Sequence, residues 1–376
     1  MLKKSVVLLS VLTFFGVSGL AIFIRQTSAQ SQTFDRRAML ENIGNNIILP
    51  LHESFLAQVA MLQTAAHAFR DAPTLENLEV MQQAWRDTDY LWKKVIMFDL
   101  GRLTFVYQSR IENDSPIAIQ LIDTMINGTD PLDENSISVF GSNVIGLRTV
   151  EYLIFNPAEG NARIIDNFTA QPSAQRRMTY LMITVDDLYA SADQIWQIWS
   201  PDYQNYVTEF IEADDPGSVQ ESIAMLTNQM LVTLEAVTNV SIGWPLGTVA
   251  GSIQPNLVQA PYSGYSVQQI RSFFEILRAT YNGSTDAGNG LGFDDYLNAV
   301  GAMYNDVPLA DAINMEIDHI FATLDAMTEP LDAVLINHPE QVQALYEECR
   351  DLVVIMKVDM TSQLGVTITF SDADGD

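Results

Sequence analysis

From about residue 35 onward, apolar residues recur at helical spacing almost without a break, and this limits the fold more than any motif does. Ile48, Leu51, Phe55, Val59 and Leu62 form one stripe, spaced three and four apart as one face of a helix requires. Pro50 lies inside that stripe and should kink or restart the helix, because proline lacks the N–H that an interior position donates. The run "TLENLEVMQQAWRDTDYLWKKVIMFDLG" follows Pro73, has Thr74 as a ready N-cap, and stops at Gly101. A third helix, "SAQRRMTYLMITVDDLYASADQIWQIW", ends at Ser200-Pro201, and "SVQESIAMLTNQMLVTLEAVTNVSIGW" is expected to stop before Pro245. The run "YSVQQIRSFFEILRATYNG" begins at Ser266 and ends on Asn282-Gly283. Two further periodic segments, from Val307 and from Pro339, close the chain. No set of alternating strands appears. The fold class is all-α, built from packed helical bundles.

The best boundary is "IEADDPGS" at 211–218. It separates an N-terminal bundle near 35–210 from a C-terminal bundle near 218–376. The two are similar in length and helix content, which suggests internal duplication, although no sequence repeat proves it.

Composition narrows the function. A formal net charge of −28 argues against nucleic acid, since too few cations are available to neutralise phosphates. The single cysteine, Cys349, rules out an intrachain disulfide and a thiolate cluster, and its helix-like surroundings suit a buried thiol. At the N-terminus "MLKK" precedes an uncharged apolar run from Ser5 to Ile24, followed by small residues at Thr27 and Ala29. Residues 1–29 therefore form either a secretory signal cleaved after Ala29 or a retained membrane anchor. Both place the working domain outside the cytoplasm, periplasmic or at the cell surface.

Chemistry-bearing residues are sparse. Glu316 and His319 have the spacing of a bundle metal pair, but they lie opposite the stripe of Ile313, Ile317, Ile320 and Leu324, so exposure is expected. His52 borders the apolar face of its helix and can reach an internal site, although a hydrogen-bonded core histidine is the commoner case. Trp85 and Trp92, seven apart, suit core packing. The tail "FSDADGD" starts like a calcium loop, but its distal ligand is missing. In "VIGLRTVEYLIF", a helix would place Arg148 and Glu151 on one face beside Tyr152.

That stretch, with "NIGNNIILPLHESF", "AWRDTDYLWKKVIMFDLG", "YSGYSVQQIRSFFEILRATYNG" with "GNGLGFDDYL", and "LGVTITFSDADGD", resembles the imelysin family across most of residues 40–376. Gly146 and Glu151 match the family's Gly-x-His-x-x-Glu motif, and Arg148 stands where the family has histidine. The resemblance implies a duplicated helical fold. It also implies a bacterial envelope location, an iron-uptake context with an envelope partner protein, and either metallopeptidase activity or a non-catalytic role. Iron or zinc would be the family's ion. A guanidinium has no lone pair to donate and stays protonated, so Arg148 weakens a metal site and favours an Arg148–Glu151 ion pair. The residues expected to bind a ligand between the bundles are Gly146, Arg148, Glu151, Tyr152 and His52. No catalytic residue is assigned.

Overall fold

The computed structural model describes residues 34–100, 110–112, 117–133, 143–213, 221–285 and 288–369. The apolar run at 5–24 and the acidic tail lie outside the described residues, as do Gly101 and most of the 211–218 break. Phe34–Asp376 forms one compact unit, and among the described residues a single hydrophobic core runs through both halves of the sequence.

The first helix, α1 (Arg36–Asn42), is capped by Asp35, whose Oδ1 accepts from the Ala38 amide at 2.9 Å. It widens into a π-helical segment, Ile43–Ile48, before continuing as α2 (Leu49–Asp71) with Pro50 in its first turn. The expected restart at Pro50 takes this form. A proline ring clashes with the carbonyl four residues earlier, and a wider turn just before it makes room without ending the helix. Helix α3 (Leu75–Val95) is capped by Thr74 Oγ1, which accepts from the Asn77 amide at 3.3 Å. Helix α2 packs along both α3 and the long α7 (Ala174–Trp199). The shorter α4 (Ile119–Asn127), α5 (Leu147–Ile154) and α6 (Gly160–Thr169) pack on α7, and α8 (Tyr206–Glu212) packs on α1.

In the second half, α9 (Ser222–Ala236) runs into a second π-helical segment, Val237–Gly243, and then into a last turn, Trp244–Leu246. The sequence placed the end of this helix before Pro245. The helix instead passes through the proline, again after a π segment, and stops at Gly247, whose φ of +92° terminates it. Helices α10 (Ser266–Tyr281), α11 (Phe293–Val300), α12 (Leu309–Ala326), α13 (Leu331–Asn337) and α14 (Pro339–Val354) complete this half. The only strands among the described residues are two antiparallel ladders of two residues per strand, Ser284–Thr285 with Gly288–Asn289 and Met303–Tyr304 with Val307–Pro308. The all-α expectation is met.

Helices α3 and α10 join the halves. Polar bonds fix their register. Tyr90 and Lys94 on α3 each donate to Glu275 on α10 at 2.6 Å, and Gln269 Nε2 donates to Asp89 at 2.9 Å. Trp85 and Trp92 are buried core residues as expected, yet both also use their indole N–H. Trp85 donates to the Leu147 carbonyl and Trp92 to Glu112 Oε2, each at 2.8 Å. The same α3 face thus packs the core and holds the elements of the site.

Candidate functional site

The site starts at Gly146. Its φ of +82° lies in the left-handed region, and a Cβ there would sit 2.2 Å from the Ile111 carbonyl oxygen. Only glycine permits so close an approach. The approach is sealed by the Leu147 amide, which donates to Ile111 O at 2.9 Å. Glu112, the next residue, is thereby brought against α5.

Arg148 meets that carboxylate. Its Nε donates to Glu112 Oε1 at 2.9 Å, and Lys93 Nζ and Trp92 Nε1 donate to Glu112 Oε2 at 2.5 and 2.8 Å. The expected Arg148–Glu151 ion pair is therefore corrected. The two residues share a helix face, but the guanidinium bonds a partner 36 residues earlier in the chain. Glu151 turns to a loop of the second half. Its Oε1 accepts from the Tyr262 amide (3.1 Å), the Ser263 amide (2.8 Å) and Ser263 Oγ (2.7 Å). Among the described residues nothing donates to Glu151 Oε2, and Glu151 lines a cavity of about 220 Å³. Arg148 lines the same cavity, with Val240, Trp244, Leu257, Gln259 and Tyr262.

Beyond Gln259 lies a second cavity of about 280 Å³, walled by Lys93, Glu112, Gln269, Phe273 and the start of the Val237–Gly243 segment. The π-helical segment lines both cavities, and π turns inside helices recur at functional sites. Gln269 Oε1 is buried and has no hydrogen-bond partner.

Burial dominates the electrostatics. It pushes the Glu151 carboxyl up to about 7; the Ser263 hydrogen bonds oppose the rise, Asp89 adds to it and the Arg148 charge opposes it. Burial likewise raises Asp89 to about 7, against the pull of Lys93. Burial also works against the Glu112 charge, but Lys93 and Arg148 overcome it and hold that carboxyl down, at about 2. Glu112 is thus the fixed anion, and Asp89 and Glu151 are the groups that can take a proton near neutrality.

Tyr152 borders the site without entering the charge cluster. Its hydroxyl donates to Asp123 Oδ1 at 2.8 Å, and its ring meets Tyr262 edge-on at 5.4 Å. His52 does not join it. The imidazole is buried, with Nδ1 2.7 Å from the Ile48 carbonyl, its ring 5.3 Å from Trp199, and burial holding it neutral with a value near 4. It is a core residue of the first half and lines neither cavity. His319 is exposed, its Nδ1 3.4 Å from Glu316 Oε2, as expected, and Cys349 is buried. Lys93, Glu112, Asp89, Gln269 and Ser263 escaped sequence reasoning because each reaches the site from a remote segment.

A match to the imelysin (Peptidase M75) family model covers residues 48–355. The chain belongs to the imelysin family. A curated relative, iron-regulated protein A of Synechococcus elongatus, is 22% identical over 340 residues, covering 88% of this chain and 86% of that protein. Two solved structures share the fold. One is described as an iron-regulated protein A precursor from Parabacteroides distasonis (TM-score 0.71, 17% identity, 87% of this chain and 94% of that one). The other is an imelysin-like protein from Psychrobacter arcticum (TM-score 0.67, 17% identity, 89% and 96%).

The residues at this imelysin motif do not fit a metal ion. Arg148 supplies no lone pair, Glu151 Oε1 already accepts three hydrogen bonds, and both Glu112 oxygens are occupied by cationic or indole donors. Among the described residues no group of three or more His, Cys, Asp or Glu is placed to hold an ion.

Proposed function

We propose that this imelysin-family protein is a non-catalytic, exported envelope protein that binds a ligand at the Glu151 site, in the iron-linked context its relatives' names carry. The observation behind the reading is the Lys93–Glu112–Arg148 cluster. Two fixed cations occupy a buried carboxylate beside the motif where a bound cation would otherwise sit. The cavities flanking the cluster are largely apolar with a few converging polar groups, the usual character of small-ligand sites. Export is supported by the basic start and apolar run at 5–24 and by the word "precursor" in the description of the Parabacteroides relative. No helix of the described residues is long and apolar enough to cross a membrane.

The competing reading is a metal-dependent peptidase. It requires a stoichiometric ion, and the donor set at the motif disfavours it. Metal analysis and a peptidase assay on protein purified without a metal-binding tag test the two. The proposal expects substoichiometric zinc and iron and no turnover. Stoichiometric metal that Glu151→Ala abolishes would overturn it.

A further inference from the structure

At the centre of the site the buried charges do not balance. Asp89, Glu112 and Glu151 face Lys93 and Arg148, and these five are the groups whose fields reach one another. With all three acids ionised, one carboxylate lacks a counter-ion. Buried charges are strongly disfavoured unless paired, so the missing partner is a cation.

The unused hydrogen-bonding capacity has the same sign. Glu151 Oε2 and Gln269 Oε1 are acceptors without donors, on the walls of cavities that share Gln259. Glu151 is 1% exposed and Gln269 5%. The buried N–H groups left unpartnered among the described residues, Arg36 Nε, Gln58 Nε2 and Arg278 Nε, line neither cavity. A ligand that satisfies this site brings donors, not acceptors.

We propose that the cavity beside Glu151 takes a small organic ammonium ion with an apolar body, its N–H groups donating to Glu151 Oε2. This deepens the ligand-binding reading and rests on it. A metal ion needs several oxygen or nitrogen ligands, whereas an ammonium needs one carboxylate and tolerates apolar and aromatic neighbours. Trp244, Leu257 and Tyr262 supply such neighbours on the same wall, and aromatic faces attract organic cations. A free anion is disfavoured because Arg148 is engaged by Glu112 and Glu151 Oε2 faces the space. The volume, about 220 Å³, suits a small molecule. Without the ligand, a proton on Asp89 or Glu151 stands in for the cation, in keeping with the raised proton affinities of both groups.

The test is calorimetric titration of protein purified without a metal-binding tag, with four probes: 2-phenylethylammonium chloride, the isosteric neutral 2-phenylethanol, the anion 3-phenylpropionate, and Zn²⁺. One ammonium per chain is expected, bound about tenfold or more tighter than the alcohol, as a charge-assisted hydrogen bond warrants. Glu151→Gln should weaken it by a similar factor. Trp244→Ala, at a partly exposed position, is the second variant and should weaken it too. Ammonium binding unchanged by both substitutions overturns the inference. If the alcohol or the anion binds best, one per chain and lost in Trp244→Ala, the ammonium inference falls and the ligand-binding reading stands. If no organic probe binds, or Zn²⁺ binds stoichiometrically through Glu151, both fall.

Discussion

Arg148 Nε reaches Glu112 Oε1 at 2.9 Å across 36 residues of chain, while Glu151, one turn along the same helix, gives its Oε1 to the Ser263 loop. One short helix therefore holds two elements at once, the 110–112 segment through its guanidinium and the second half of the chain through its carboxylate. Each of these anchors can be probed separately.

Removing the shared anion should be costly. Glu112→Gln leaves Lys93 and Arg148 without their buried carboxylate, and breaking a buried pair typically costs about 3–5 kcal/mol. Urea unfolding measures it. The exposed Arg163–Glu159 pair is the control, and Glu159→Gln should cost less than about 1 kcal/mol. Equal losses for the two variants would show that the Glu112 cluster is solvated.

Gly146→Ala should destabilise by more than about 1 kcal/mol. The new Cβ meets Ile111 O and the backbone must keep a positive φ. Because Glu112 follows Ile111, probe binding at the site should weaken in the same variant. A loss of stability with unchanged binding would mean that Glu112 is positioned independently of Gly146.

Stability should fall with rising pH through the site carboxyls. Glu151 and Asp89 are raised from ordinary values of 4.5 and 3.8 to about 7, so the folded chain binds more protons than the unfolded chain across that window. Their contribution is largest at the acid end and declines as pH rises through 7. Glu151→Gln removes one of these groups, and its stability should fall less than wild type's between about pH 5 and about pH 8, by on the order of 2 kcal/mol. His52, held down near 4, tilts the curve the other way, but it is present in both proteins and cancels in the difference. Parallel curves would mean that Glu151 stays ionised in the folded chain.

Arg148→His should raise zinc affinity. The substitution removes the fixed cation and places an imidazole near two buried carboxylates, Glu112 and Glu151, a donor set that zinc accepts. A gain of about tenfold or more in calorimetric titration, lost again when Glu112→Ala is added, is the expected result. No gain would mean that the Ser263 loop keeps Glu151 out of reach.

Local features of this chain were legible in its sequence, and distant pairings were not. Thr74 as a cap, Ser200-Pro201 as a stop and the core role of Trp85 and Trp92 depend on neighbours within a few turns. Pro245 misled because a proline rule assumes α geometry, and the preceding segment is π-helical. Gly146, Arg148, Glu151 and Tyr152 were singled out together, and the structure places them at one site. The partner of Arg148 was misassigned because i, i+3 spacing shows who shares a face and not who lies opposite it. Nothing in "SRIENDSP" marks Glu112, and Gln269 meets Asp89 from 180 residues away.

The π-helical segment Val237–Gly243 stores a surplus residue relative to an α-helix of the same rise. Deleting one residue there lets the helix relax to α and turns everything after it by about 100° relative to α9. Trp244 would then swing off the cavity wall with its own sequence unchanged. At this position the site is specified by a residue count as much as by residue identity. Substitutions along Val237–Gly243 should therefore be tolerated far better than a single-codon deletion.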